Sequence, residues 1–414
     1  MSVSEFINVH TVCRMTTVAY LLHRFPRITD TFIMREVRAL QKGGMDIQII
    51  SIWRPAPREI DVKVMAEWGH QTCFLLPKSI LAIVRVLCGT IIRSPTRFVS
   101  TFCLAFTTAR PGLRGLVNQV FYLAEAMLAA EVLQKREIGH VHNHFGDHSG
   151  IVTMLAAKLC NIPYSISFHG PHVFFDGASA KNKEKVSHAR FVRCISYFCR
   201  SQVILFSEST NLSALKIVHC GLDLPDYQFR LPREKVERLY CAARLAPEKG
   251  LEFLVQAVKI LTDQKCDIEL RLVGDGPSRR PLEGLARDLG ILDRVHLLGP
   301  LDEAAKMREL YAADLFVLPS LAEGLPSSIT EAMAVGVPVI ATNIAGTSEL
   351  VEQGKTGLLV RPSDPQALAN AIVTMIDNYE FRRSTAELAR IKVMEEFDVN
   401  KEAAKLQEYL LQAC

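Results

Sequence analysis

Apolar positions in this chain fall into short continuous runs and into stripes of helical period, and the two kinds alternate from one end to the other. Thr17 to Leu22, Asp46 to Ile52, His140 to His144 and Tyr164 to Phe168 read as strands. Phe32 to Gln41 has helical periodicity and closes at Gly43-Gly44, while Asn118 to Lys135 and Ser149 to Leu159 read as further helices. Strand runs separated by helices predict a parallel sheet covered on both faces. Composition then shifts to turn residues from Cys220 to Phe229 and to polar ones through Lys235, which places a hinge there. From Tyr240 the rhythm restarts: a strand to Arg244, a helix from Leu251 to Leu261 and a strand from Ile268 to Val273. A strand from Asp314 to Pro319 follows, then a short helix halted by Gly336 and Pro338. The pattern predicts an α/β chain with two doubly wound, Rossmann-like domains, residues 14–228 and 236–388, a tail over 1–13 and a last helical segment over 389–414.

One stretch breaks the alternation. From Trp68 through Ala124 there is no Asp or Glu, yet Lys78, Arg85, Arg93, Arg97, Arg110 and Arg114 all fall there between apolar clusters. No run reaches the roughly twenty uninterrupted apolar residues that span a bilayer. A basic, apolar helical insertion over about 68–124 fits the surface of an anionic membrane, and equally a helical layer packed on the first domain with its cations solvated.

The rest of the composition mainly excludes. A net charge of +4 over 414 residues argues against a general nucleic-acid binder. Eleven cysteines lack metal-ligand or redox spacing and point to a reducing, cytoplasmic compartment. The N-terminus lacks the basic start and apolar run of a signal peptide.

Candidate chemistry gathers where strands end. Glu323 lies on a Gly-Pro loop after one strand, and Glu331 lies eight positions on in the next helix, so both are expected in one crevice. Carboxylates suit sugar hydroxyls, although Ser328-x-x-Glu331 also reads as a capping box. Arg244 and Lys249 stand near a helix start, where a fork and a point charge suit a diphosphate; a solvated basic turn would look the same. Gly274-Asp-Gly-Pro277 is a turn without the third glycine of a dinucleotide fingerprint, which disfavours an NAD oxidoreductase. In the first half, His140, His142 and His144 share a period of two, but no acid or cysteine set completes a closed zinc site, so single roles fit better than shared metal coordination. His169 is delivered to a strand's carboxyl end and followed at once by glycine.

These motifs together resemble a known family. Arg-Leu-x-x-Glu-Lys-Gly from Arg244, Leu-Val-Gly-Asp-Gly-Pro, Val-His-Leu-Leu-Gly, Leu-Pro-Ser-x-x-Glu-Gly-Leu-Pro, Glu-Ala-Met-Ala-x-Gly-x-Pro-Val-Ile-Ala and Gly-x-x-Glu-Leu-Val run in order from Tyr240 to about Ile372. The series is similar to the nucleotide-sugar domain of family-4 retaining glycosyltransferases of the GT-B fold. Phe25-Pro-Arg-Ile-Thr-Asp-Thr-Phe-Ile33, His142-Asn-His-Phe-Gly and Ser167-Phe-His-Gly-Pro resemble the colanic-acid and exopolysaccharide branch, with Thr29-Asp30 in place of its usual Ser-Glu. The resemblance implies two domains facing across a cleft, with the last helix crossing back to the first domain. It implies that Arg244 and Lys249 hold the donor diphosphate and Glu331 the ribose. Glu323 and Gly324, Leu325, Pro326 and Ser327 would face the transferred sugar and phosphate, Gly274 would belong to the donor side, and His169 would touch the sugar. Thr29, Asp30 and His144 are assigned to the acceptor side. The expected partners are a nucleotide-diphosphate sugar, UDP-hexose before GDP-mannose, and a lipid-linked or oligosaccharide acceptor at the inner membrane face. The donor is a substrate, and neither cofactor nor metal is expected. A non-catalytic sugar-nucleotide sensor and a phosphorylase or epimerase on the same architecture remain as alternatives.

Overall fold

The computed structural model describes residues 17–170, 181–207 and 211–413, so the expected tail over 1–13 lies outside the described residues. The first domain opens with β1 (Val18–Arg24), α1 (Thr31–Lys42), β2 (Ile47–Trp53), α2 (Val62–Trp68) and β3 (Thr72–Leu76). Three helices follow, α3 (Ile80–Arg93), α4 (Pro95–Thr107) and α5 (Leu113–Lys135). Then come β4 (His140–His144), α6 (His148–Cys160), β5 (Tyr164–Phe168), α7 (Asn182–His188), β6 (Phe191–Cys194), α8 (Tyr197–Ser207) and β7 (Leu215–Ile217). Its strands form one parallel sheet in the order β3-β2-β1-β4-β5-β6-β7. The stretch read as a helical insertion therefore begins with an edge strand: Thr72-Cys-Phe-Leu-Leu76 is a β-branched and aromatic run closed by Pro77.

The second domain comprises β8 (Arg238–Ala242), α9 (Leu251–Asp263), β9 (Glu269–Val273), α10 (Arg279–Asp288), β10 (Val295–Gly299) and α11 (Glu303–Ala312). It continues through β11 (Leu315–Leu318), α12 (Ser327–Val335), β12 (Val339–Thr342), α13 (Thr347–Leu350), β13 (Leu358–Val360), α14 (Pro365–Asp377) and α15 (Tyr379–Glu396). The parallel sheet runs β10-β9-β8-β11-β12-β13, the doubly wound order whose direction reverses between β8 and β11. Each domain is thus an α/β layer structure of the predicted kind, and the two crevices face each other.

The chain crosses between domains twice. After β7, Leu222 pairs with Asp398 in an isolated parallel bridge, so both crossings lie side by side. The return comes later than the sequence pattern placed it. Ala389, Val393 and Phe397 extend the apolar core of the second domain, which keeps α15 there. Only α16 (Val399–Ala413) returns, and Ala403, Leu406, Leu410 and Ala413 join Val37 and Leu40 of α1 in the first domain's core.

Candidate active site

A cavity of about 720 Å³ lies between the carboxyl ends of the two sheets, within the range that holds a nucleotide-sized ligand. On the second domain its wall is built at the β8–β11 reversal point. Arg244 follows β8, and its exposed guanidinium pairs with Glu248. Lys249 ends a 3-10 turn, and Gly250 then adopts φ 56°, where a Cβ would come within 2.4 Å of the Pro319 carbonyl. That close approach sets Lys249 against the loop after β11. Its Nζ lies 2.6 Å from Glu323 Oε1, and the same oxygen accepts the Ser320 hydroxyl at 2.7 Å. Glu323 is thereby held nearly buried with its charge matched.

Gly324, Leu325, Pro326, Ser327 and Ser328 complete this wall. Pro326 is the N-cap of α12 and provides no side-chain hydrogen bond, so the first-turn N–H groups and the positive end of the helix dipole meet the cavity. The capping-box reading of Ser328 and Glu331 is overturned by this register. Gly324 is obligatory on steric grounds: a Cβ there would stand 2.0 Å from the His169 carbonyl of the opposite domain. Gly274 lies outside the cavity wall. With φ 131° it packs where a Cβ would meet the Ala243 carbonyl at 2.0 Å, so it shapes the turn that presents Arg244.

Glu331 does not share an open crevice with Glu323. It lies further along α12 toward the hinge, with Lys306 Nζ at 3.2 Å, Arg35 Nη2 at 3.4 Å and the Tyr227 hydroxyl at 3.4 Å. Arg35 belongs to α1, so this carboxylate ties the two domains together. Glu349 makes a second tie from α13, accepting the backbone N–H groups of Tyr197 and Phe198 at 2.7 and 2.6 Å at the start of α8. None of Arg35, Tyr227, Lys306 or Glu349 stood out as a site residue in the sequence. Glu349 is the acid of the Gly-x-x-Glu-Leu-Val motif but was given no role there, and the other three are polar positions on helices and loops; the approach of the domains brings all four into contact across the interface or beside it.

The first domain contributes Thr29, Phe32, Phe145, His169 and Gly170 to the cavity. Thr29 is exposed there on the loop after β1. Asp30, expected beside it, turns inward: it is 1% exposed and accepts from the backbone and side chain of Arg27 at 2.9–3.2 Å. Burial raises its pKa and Arg27 partly offsets that. Ile28–Asp30 form a 3-10 turn, in which neighbouring side chains point about 120° apart, so Thr29 faces the cavity while Asp30 faces the interior. His144 is likewise fully buried and cannot meet an acceptor; its Nδ1 lies 2.8 Å from His169 Nε2, one layer behind the cavity. Phe145, just beyond β4, adopts φ 76°, a strained conformation for an aromatic residue. That turn brings its ring centroid to 5.2 Å from that of His169. Burial holds the His169 imidazole well below the ordinary histidine range, so the ring is neutral. His172 of the same run lies outside the described residues.

Two groups of side chains have metal-ligand spacing among the described residues, with ligand atoms within 4.8 Å of one another. In the first, Glu36, His142 and His144, the atoms are already committed. His142 meets the Ser165 and Ser167 hydroxyls at 2.7 and 2.8 Å, and Glu36 faces Arg193. The second, His23, Asp147 and His148, is more open, but Arg24 and Arg27 lie in its field and oppose a cation. The period-two histidines of β4 are thus core residues: His140 and His142 meet hydroxyls of β5, and His144 meets His169 instead.

The two facing Rossmann-like domains, with a cavity at the reversal point and cations beside a helix start, define the GT-B architecture of glycosyltransferases. The family described as "Glycosyl transferases group 1" matches residues 226–392, the second domain. The putative colanic acid biosynthesis glycosyltransferase WcaL of Escherichia coli K12 is 37% identical over 95% of this chain and 100% of its own. An Escherichia coli UDP-Gal:alpha-D-GlcNAc-diphosphoundecaprenol alpha-1,3-galactosyltransferase is 25% identical over 67% of this chain and 76% of its own. Among solved structures, Anabaena Alr3699/HepE in complex with UDP superposes with a TM-score of 0.71 at 19% identity, covering 96% of this chain and 100% of that one. The same protein has been solved with UDP-glucose, with a TM-score of 0.70. The chain belongs to the group 1 glycosyltransferases.

Proposed function

We propose that the protein transfers a hexose from a UDP-sugar, in preference to GDP-mannose, to a hydroxyl of a lipid-linked oligosaccharide in exopolysaccharide-type biosynthesis, with retention at the anomeric carbon as in family 4. The observation that carries this reading is the Lys249–Glu323–Ser320 cluster beside Arg244 and the open first turn of α12. As the bond from the anomeric carbon to the diphosphate breaks, charge gathers on the leaving phosphate. Arg244 is free to exchange Glu248 for that phosphate because its side chain is 67% exposed. Lys249 and the N–H groups of Ser327 and Ser328 meet the same charge where it develops, which is where fixed dipoles are most effective. These groups supply the neutralisation without a metal ion.

For the donor, the UDP-bound neighbour and the UDP-Gal-dependent relative support uridine. For the acceptor, that relative's diphosphoundecaprenol substrate and the surface of α3, α4 and α5 point the same way. Ile80, Leu81, Ile92, Val99, Leu113 and Phe121 are exposed there among the basic residues of the acid-free stretch. An apolar, cationic face of this kind supports peripheral attachment to the cytoplasmic side of an anionic membrane. Helix α5 is long and apolar enough to cross a membrane by composition, but its second half is core, packed through Leu123, Met127 and Leu133.

The test is a donor screen: purified protein is incubated with UDP-, GDP- and ADP-hexoses and release of the nucleotide diphosphate is followed. UDP-hexose cleavage above all others is the expected result. No cleavage of any nucleotide sugar, with or without a polyprenyl-diphosphate oligosaccharide, sinks the reading.

A further inference from the structure

Behind His169 runs a line of buried polar groups that touch no cavity surface. His169 Nε2 lies 2.8 Å from His144 Nδ1, and His144 Nε2 lies 3.2 Å from Glu36 Oε1 at too oblique an angle for a well-formed hydrogen bond, with no other hydrogen-bond partner among the described residues. Glu36 Oε1 also accepts the Tyr20 hydroxyl at 2.7 Å, while Oε2 faces the Arg193 guanidinium. Arg193 is pinned in turn by the carbonyls of Val218 and His219, each at 3.0 Å. On the far side of the ring, His169 Nδ1 lies 3.6 Å from Cys220 Sγ.

The charges along this line favour one order of protons. Arg193 is always protonated. Burial alone would raise the Glu36 carboxyl, but the Arg193 guanidinium outweighs it and holds Glu36 well below the usual range, ionised. A carboxylate only accepts, so His144 Nε2 carries the hydrogen. Burial keeps His144 neutral, which leaves Nδ1 bare as an acceptor. His169 Nε2 must then be the donor of the 2.8 Å bond, and its Nδ1 is bare toward Cys220, whose thiol burial pushes up to about 12 and keeps protonated.

We propose that Glu36, acting through His144, is a positioning residue that fixes His169 as the neutral Nε2–H tautomer at the cavity wall. The proposal rests on the reading that His169 faces the transferred sugar. Positive charge grows on that sugar as the leaving group departs, and an imidazolium or a rotated ring beside it would oppose the reaction. A residue pinned by His144 on its ring and by Gly324 against its carbonyl cannot turn away. A purely architectural role for the Glu36–Arg193 pair, tying α1 to the sheet, would leave the tautomer indifferent to the identity of residue 36.

The test is nitrogen-15 NMR of imidazole-labelled protein, with the His169 signals assigned by comparison with His169→Asn. The wild type is expected to show a protonated Nε2 and a bare Nδ1 at neutral pH. In Glu36→Gln the carboxamide can donate to His144 Nε2, which reverses both tautomers in turn. His169 should then show a protonated Nδ1, and kcat should fall on the order of tenfold or more with nucleotide affinity unchanged. Should Glu36→Gln fail to fold with Arg193 unpaired, His144→Gln cuts the line while keeping the ion pair, and should give His169 mixed tautomers with the same split in kcat and KM. A wild-type His169 that is Nδ1-protonated or charged, or an Nε2–H signal unchanged in both variants, overturns the proposal. The NMR reading needs no substrate, so it stands apart from a failure of the donor screen.

Discussion

An ammonium sharing one carboxylate oxygen with a serine hydroxyl is a more constrained cation than a surface lysine, and the two cavity cations, Lys249 and Arg244, should respond differently to removal. Arg244→Ala takes away an exposed side chain, so turnover should fall by about 30- to 1,000-fold, or about 2–4 kcal/mol, with an unchanged melting temperature. Lys249→Ala should match that loss and also lower the melting temperature, because Glu323 keeps only Ser320. Wild-type rates at saturating donor in either variant would contradict their assignment. Glu323→Gln should slow turnover with the melting temperature little changed, while Glu331→Gln, which weakens the contacts to Arg35 and Lys306, should lower the melting temperature, and steady-state rates and calorimetry separate the two. Lys185 gives a pH signature. Its Nζ donates to the Gly146 carbonyl, and burial lowers it to about 7. The unfolded chain holds that proton up to about pH 10.4 and the folded one releases it, so stability should rise with pH above 7, by up to about 1.4 kcal/mol per unit. Urea titrations at several pH values should show that slope in the wild type and lose part of it in Lys185→Met. At this scale the sequence revealed residues that follow strands, Lys249, Glu323 and His169. It misplaced Asp30 and His144, because a turn or strand end does not announce which side chains go inward. For Glu36 a signal existed: it falls within the apolar stripe of Ile33, Val37 and Leu40, where a solvated acid would not.

At the scale of elements, the β/α rhythm identified β1, β2, β4, β5, β8, β9 and β11, because parallel strands buried on both faces read as continuous apolar runs; the short strands β6, β7, β10, β12 and β13, three to five residues each, gave too little pattern to place. Two misreadings have a common cause. β3 was hidden at the head of a stretch whose cations and apolar clusters read as helix, and the end of α15 was assigned to the wrong domain because its stripe gives periodicity without naming the surface it meets. Helix α16 shows what that distinction means energetically. Leu406 is fully buried in the first domain although it follows the whole second domain in sequence. Leu406→Ala should cost about 2–5 kcal/mol and lower hydrogen-exchange protection in α1 and β1 more than in β8 to β13. Protection lost evenly across both domains would contradict that placement.

At the scale of the molecule, the cavity is walled by two crevices that face each other, and the sequence showed the crevices but not the ties between them. Glu331 with Arg35 and Glu349 with the start of α8 are contacts across some 150 to 300 positions, invisible to any local pattern. The outer face of α3 to α5 should carry the protein to vesicles of anionic lipid, each cation near the surface adding about 1 kcal/mol. Sedimentation should show binding that weakens with salt and falls in Arg85→Glu/Arg93→Glu/Arg97→Glu; wild type remaining in the supernatant at low salt would remove the membrane from the reading. The double crossing at Leu222 and Asp398 bears finally on how the protein is made. The first domain's sheet is complete once Ile217 has been synthesised, yet its α1 face stays uncovered until α16 follows the entire second domain. At about 5–20 residues per second that interval is on the order of ten seconds or more, during which Val37, Leu40 and their neighbours are open to chaperones or to a second nascent chain.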